Sequence, residues 1–189
     1  MNSRFNPHAN RGVTMLELVI VMTVAAILMS IAIPSYRYVT NSNRIAAEVN
    51  GLLGDMQFAR AEAIKEGQTV TVCVSSNGAT CLGATTTTWQ SGWIVFSDVN
   101  GDHIVTNGVD AVLRVQPTFT STDTFIANNA VGYVTFNREG FATGIANGTL
   151  ITLHSTPVTN DATRCLSMTL VGLMTVQTQN QVNNGVTCL

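Results

Sequence analysis

The stretch "ANRGVTMLELVIVMTVAAILMSIAIPSY", residues 9–36, decides how the rest of the chain is read. From Val13 to Ile33 it runs 21 residues with a single charge, Glu17. A helix of about 20 apolar residues spans the hydrocarbon core of a bilayer. An ordinary secretory signal has an apolar region of only about 7–15 residues and ends at a small-residue site. Here the run is longer and continues smoothly into more helical sequence. A carboxylate inside such a segment is costly, and its presence marks a functional position. Arg4 and Arg11 flank one end and Arg37 and Arg44 the other, so a count of positive charges does not set orientation.

The 189 residues suit one domain with an appendage. The apolar excess is concentrated in the opening run. The remainder is rich in Thr, Asn, Gly and Val, a mixture suited to β-structure with many turns. Residues 67–189 carry Arg114, Arg138 and Arg164 against six acids. Nonspecific phosphate binding needs clustered cations, so nucleic acid is not an expected partner. All four cysteines, Cys73, Cys81, Cys165 and Cys188, follow the apolar run. An even number on one side of the run points to two disulfides in an oxidising compartment, which places this part outside the cytoplasm. Spacing alone does not fix the connectivity. Local pairing, Cys73 with Cys81 and Cys165 with Cys188, closes short loops and is the expected arrangement. No C-x-x-C pair exists, and His103 and His154 stand at no zinc-ligand spacing.

Beyond Pro34, which lacks an N–H and should bend or interrupt a helix, a second pattern begins. Ile45, Val49, Leu52, Met56, Ala59 and Ala63 recur at alternating spacings of four and three. That is one apolar seam on an amphipathic helix, with Gly67 as its C-terminal cap. A helix over roughly residues 14–66 would be about 80 Å long. The seam also has coiled-coil spacing, but two heptads are too few to specify a separate partner helix. After it, "QTVTVCV" alternates as a strand, and "WQSGWIVFSDVNGDHIV" reads as strand, turn and strand. "GYVTFNREGFATG" reads as a hairpin turning near Arg138 to Gly140, and "GTLITLHS", "RCLSMTLVG" and "LMTVQTQ" as further strands. Short strands with turn signals predict antiparallel sheet and an α+β class, with the helix on one sheet face.

The run Arg11-Gly12-Val13-Thr14-Met15-Leu16-Glu17-Leu18 resembles the prepilin processing signal of type IV pilins and type II secretion pseudopilins. In that family a membrane peptidase cuts after the glycine and N-methylates the new first residue. The resemblance implies cleavage between Gly12 and Val13. Glu17 then becomes the fifth mature residue and Pro34 the twenty-second, where the family carries a helix-kink proline. The chain departs from the family in having Val13 where Phe is usual. The strand Trp93-Ile94-Val95-Phe96 with its Asp/Asn/Gly turn, the strand Val134-Thr135-Phe136 with Gly140, and the closing Cys165 strand pair resemble GspH/FimT-type minor pilins and pseudopilins over nearly the whole chain. The implied organisation is a prepilin leader at 1–12, a transmembrane and assembly helix at 13–36, an amphipathic helix at 37–66 and a β-rich head at 67–189.

The resemblance gives Glu17 a role. Cleavage creates an ammonium at Val13, and a neighbouring subunit's Glu17 neutralises it as the new subunit docks. Two desolvated charges cost far less paired than apart. The function implied is that of a minor type IV pilin, most like the FimU/FimT group, in the complex that initiates the filament tip. Its partners would be other minor pilins, the major pilin, the prepilin peptidase and the inner membrane. It would pass from a single-pass inner-membrane form with a periplasmic head to the extracellular pilus. The alternatives are a GspH-like secretion pseudopilin and a DNA-binding pilin for natural transformation. In the last group a Gly-Arg-x-Arg motif is expected, whereas the matching stretch here is Gly172-Leu173-Met174-Thr175. Losing Arg4 and Arg11 with no acid would also move the formal net charge from −2 to −4.

Asp98, Asn100 and Asp102 alternate as a calcium loop begins. The pattern then wants Gly at the sixth position and Glu at the twelfth, where this chain has His103 and Val109. Asn-Gly and Asp-rich turns are ordinary hairpin chemistry, so no metal or cofactor is expected. No nucleophile elbow or paired acid–base motif is present, and His154 lies in an alternating strand, so the chain does not read as an enzyme.

Overall fold

A computed structural model of the chain describes residues 12–183 and 185–189. Arg4 and Arg11, and with them most of the leader at 1–12, lie outside the described residues. The chain divides into two structural units, Met1–Val39 and Thr40–Leu189.

One helix, α1 (Met15–Glu66), contains Pro34 and is not interrupted there. Of the two outcomes expected at this proline, a break does not occur; the helix forgoes the one bond that residue 34 would donate to the Ser30 carbonyl. Within the first unit, Thr23 Oγ1 donates to the Ile20 carbonyl at 2.8 Å and Ser30 Oγ to the Ile27 carbonyl at 2.7 Å. These hydroxyls thus spend their donors on their own backbone. At the other end, Gly67 takes φ +71° and its N–H donates to the Ala63 carbonyl at 3.0 Å. A left-handed residue closes the helix there, and glycine adopts it without a Cβ penalty.

Among the described residues the second unit adds eleven strands: β1 (Val70–Val74), β2 (Trp93–Ser97), β3 (Ala111–Gln116), β4 (Thr124–Ala127), β5 (Tyr133–Phe136), β6 (Ala142–Thr143), β7 (Thr149–His154), β8 (Arg164–Met168), β9 (Met174–Thr178), β10 (Val182–Asn183) and β11 (Val186–Thr187). They form a five-stranded sheet in the order β3-β2-β1-β5-β6, a four-stranded sheet β4-β7-β8-β9 and the small hairpin β10-β11. Every strand pair is antiparallel. The class is therefore α+β. The helix meets two sheets rather than one. Its six seam residues, Ile45 to Ala63, are at most 1% exposed and share a core with Val70, Val72 and Val95 of one sheet and Ile151, Leu153 and Leu166 of the other. Trp93 sits at the junction, with ring centroids 5.7 Å from Phe119 and 6.1 Å from Phe125.

The return strand after Ser97 lies later than expected. It is β3 at Ala111–Gln116, not a strand at His103–Val105. The intervening loop is held by carboxylates accepting from backbone. Asp98 accepts from the N–H groups of Asp102 and His103, both at 3.1 Å. Asp110 accepts from Val99 at 3.0 Å and Thr106 at 2.8 Å. Aspartates that bond nearby backbone offer the chain an alternative to a ladder. The short strands β4, β10 and β11 were also not anticipated.

Candidate functional site

The amino-terminal turn is built by Thr14. Its Oγ1 accepts from the Glu17 N–H at 3.2 Å, and its carbonyl accepts from the Leu18 N–H at 3.1 Å. Thr14 is thus the N-cap and Glu17 the third helical residue, the spacing of a capping box. An acid in the first turn is also favoured by the helix dipole. Gly12, Val13 and Glu17 are all exposed. The most apolar stretch of α1 is uncovered along its whole length. Val13, Met15, Leu16, Leu18, Ile20, Leu28 and Ile31 are each more than half exposed. Glu17 is the only charge among residues 13–33 of this apolar surface. A continuous uncovered apolar face of this size marks a surface meant for lipid or protein. With the processing motif it fits membrane anchoring beside a soluble head.

In the second unit the lower part of α1 is fastened to the sheets by charged side chains that border the seam. Arg44 donates from Nε and Nη2 to the two oxygens of Asp123, at 2.6 and 2.8 Å, and Asp123 also accepts from the Thr156 N–H at 2.9 Å. Asp55 accepts from Trp93 Nε1 and Arg114 Nη1, both at 2.9 Å. Arg114 also lies 3.8 Å over the Phe58 ring. Arg60 donates to the carbonyls of Gly140 at 2.9 Å, Gly172 at 3.0 Å and Val171 at 3.2 Å. One guanidinium therefore ties the β5-β6 turn to the β8-β9 turn. Both glycines have positive φ, and a Cβ on Gly172 would strike the Gly140 carbonyl. Glu48, Asp55 and Arg60 each stand three or four residues from a seam member, and Arg44 directly precedes the first of them, Ile45. That placement beside the seam is the signal the sequence holds for these attachments.

Glu48 shares the Arg44 end. One oxygen accepts from Ser121 Oγ at 3.4 Å, and the other is buried with no hydrogen-bond partner among the described residues. Burial, and then the Asp123 charge, push its carboxyl above the usual glutamate range; Arg44 and the Ser121 bond pull the other way.

Cys73 is bonded to Cys81 and Cys165 to Cys188. The first closes the loop behind β1; the second joins β8 to the last residues of the chain. Asp98 is fully buried and accepts from Thr71 Oγ1 at 2.8 Å as well as from its two backbone amides. Asn100 Nδ2 donates to Asp102 Oδ2 at 2.8 Å, and Asp102 Oδ1 accepts from Ile104 N–H at 2.9 Å. The oxygens of this loop thus serve its own turns. No cluster of three metal-ligating side chains occurs among the described residues. His103 stacks on Tyr133 with centroids 4.1 Å apart, and His154 Nδ1 lies 3.2 Å from Thr163 Oγ1. At Gly172-Leu173-Met174-Thr175 the nearby guanidinium is Arg60, committed to backbone carbonyls.

The fold matches crystal structures of the type IV minor pilin FimU from Pseudomonas aeruginosa strain PAO1. In one crystal form, P21, the TM-score is 0.54 at 19% identity, covering 71% of this chain and 89% of that one. In the other, P65, it is 0.50 at 20% identity, covering 71% and 91%. No curated protein sequence matches the chain. Residues 7–33 match the prokaryotic N-terminal methylation motif. Residues 48–172 match the model described as type II transport protein GspH. With two thirds of its length inside that model, an apolar anchor ahead of it and the FimU fold, the chain belongs to the GspH family of type IV pilin-like proteins.

Proposed function

We propose that the protein is a minor type IV pilin, cut between Gly12 and Val13, N-methylated at Val13 and built into the filament as part of its initiating tip. The observation that carries this reading is Glu17, the only charge among residues 13–33, standing in the capped first turn of an uncovered apolar helix, five residues past Gly12. A carboxylate there is expensive in lipid. It is matched when the ammonium of a neighbouring Val13 docks against it, and the pair then sets the axial register. Before assembly the chain would sit in the inner membrane with its head in the periplasm, where the oxidising environment suits its two disulfides. Pro34 supplies the point where the helix can yield during packing. The partners would be other minor pilins and the major pilin.

Glu17→Ala tests this. Cleavage and methylation should proceed normally, while recovery of the variant in sheared filaments should fall about tenfold or more, the weight of one unpaired buried charge. Wild-type recovery of Glu17→Ala would sink the pairing. A second reading, a type II secretion pseudopilin, is favoured by the description of the matched family model. Deletion of the gene separates the two: loss of surface pili with normal exoprotein export supports the first, and the reverse supports the second.

A further inference from the structure

The outer face of the four-stranded sheet is written as a solvent face yet is covered. In β7 and β8 the residues Ile151, Leu153, Leu166 and Met168 face the core, and Met174 of β9 packs against it. Thr152, Cys165 and Ser167 alternate with these residues and so point to the other face, which Thr175 and Gln177 share by register. Register places Gln177 opposite Cys165 and Thr175 opposite Ser167. Over this face lie Asn183, Val186 and Cys188, from the segment that carries β10 and β11. Val186 and Cys188 pack on Leu150 and Cys165, and Asn183 Nδ2 donates to Thr175 Oγ1 at 2.8 Å. The cover does not satisfy what it buries. Gln177 is 3% exposed and Ser167 1%. Neither amide atom of Gln177 nor the Ser167 hydroxyl has a hydrogen-bond partner among the described residues. Buried polar groups left unmatched are costly and call for an explanation.

We infer that the described residues 179–183 and 185–187 form a displaceable strap, and that the face beneath them docks an extended segment of a neighbouring pilin subunit. The inference rests on the filament reading above. The occupant follows from the chemistry of the face. A glutamine amide offers a donor and an acceptor side by side, as a peptide unit does. The present occupant is itself a stretch of this chain, the short β10-β11 hairpin, seated there but leaving those groups unmatched. Beside them β9 is the outermost strand of its sheet. The ladder alternates from the Thr169 N–H to Leu173 carbonyl bond, so the backbone groups of Met174 and Val176 point to the open edge. A strand added there is a general mode of peptide recognition. Cys188 stays bonded to Cys165 and forms the fixed end of the strap, so the residues before it can swing out with no bond to break.

Two experiments on the full-length chain test this. Hydrogen exchange in detergent should show amides of residues 179–183 and 185–187 exchanging about tenfold or more faster than those of β7 and β8, as a local opening does. Gln177→Met, which removes the unmatched amide at similar volume, should slow that exchange. Exchange of the strap only in step with the whole sheet, or faster exchange in Gln177→Met, would overturn the strap. The second experiment locks the strap. Thr175 and Asn183 already touch, so Thr175→Cys with Asn183→Cys allows a second bond across it, verified by mass spectrometry, with each single variant as control. The locked form should be cleaved normally but enter sheared filaments about fivefold less than the controls, as expected when a docking-competent minor state is removed. Incorporation equal to the controls, with Glu17→Ala still excluded, would overturn the docking face and leave the filament reading standing. Absence of even the wild type from filaments would instead remove the filament reading and the docking face with it.

Discussion

The two stretches of α1 carry similar apolar side chains and treat them in opposite ways. In the first unit Met15 is 87% exposed and Leu28 62%; in the second, Leu52 and Met56 are wholly buried. The second stretch concentrates its apolar residues on one stripe, leaving Glu48, Asp55, Arg60 and Glu62 elsewhere on the helix. The first is apolar around most of its circumference. A one-sided helix can be completed by a sheet from its own chain, whereas an all-round apolar helix needs surroundings on every side. The difference teaches that the chain finishes its own fold from Thr40 onward and leaves the earlier stretch to be finished by lipid or other subunits.

Substitutions that treat the two stretches alike should break this contrast if it is wrong. Leu52→Ala opens a cavity between two sheets and should destabilise the head by about 2–5 kcal/mol. The same change at Leu28 should leave head unfolding within about 0.5 kcal/mol of wild type. Chemical denaturation in detergent, followed by tryptophan fluorescence, reads both, since Trp89 and Trp93 lie in the head core. Equal losses at the two sites would refute the division. A smaller effect is expected at the border of the seam. Arg44→Ala leaves the buried Asp123 with the Thr156 amide and no cation. A loss of about 2 kcal/mol should follow, moderated by the partial exposure of the arginine; an unchanged midpoint would mean the pair contributes nothing.

The smallest effect sharpens the comparison through pH. The folded-state pKa of Glu48 is raised, chiefly by burial. Its contribution to stability is therefore fully present below the ordinary glutamate range and is lost as pH rises through the raised value. Glu48→Gln should then raise the melting temperature at pH 7, and the gain should shrink on acidification towards pH 4. A gain that grows in acid would reverse the assigned sign.

The seam Ile45 to Ala63 and the Gly67 cap could be read in advance because helix periodicity and capping are local. The same holds for the strands at Val70, Trp93, Tyr133, Thr149, Arg164 and Met174, each marked by alternation and turn residues. The strand at Ala111–Gln116 could not be placed, since Arg114 interrupts its apolar pattern and finds its partners, Asp55 and Phe58, on the helix. Asp98 resembled the start of a metal loop because sequence shows spacing but not which way a side chain turns; packing turned it inward onto backbone amides.

From sequence alone came the anchor, its single acid, the place of the processing motif and the α+β class, all consequences of composition and of short-range geometry. Only the tertiary structure decided that one helix serves two sheets, that Arg60 gathers carbonyls from turns 80 and more residues away, and that Gln177 and Ser167 are buried without partners among the described residues. Each of these depends on which distant strands become neighbours. Pairing order is set by the closing of long loops around a shared core, and no local pattern along the chain encodes it.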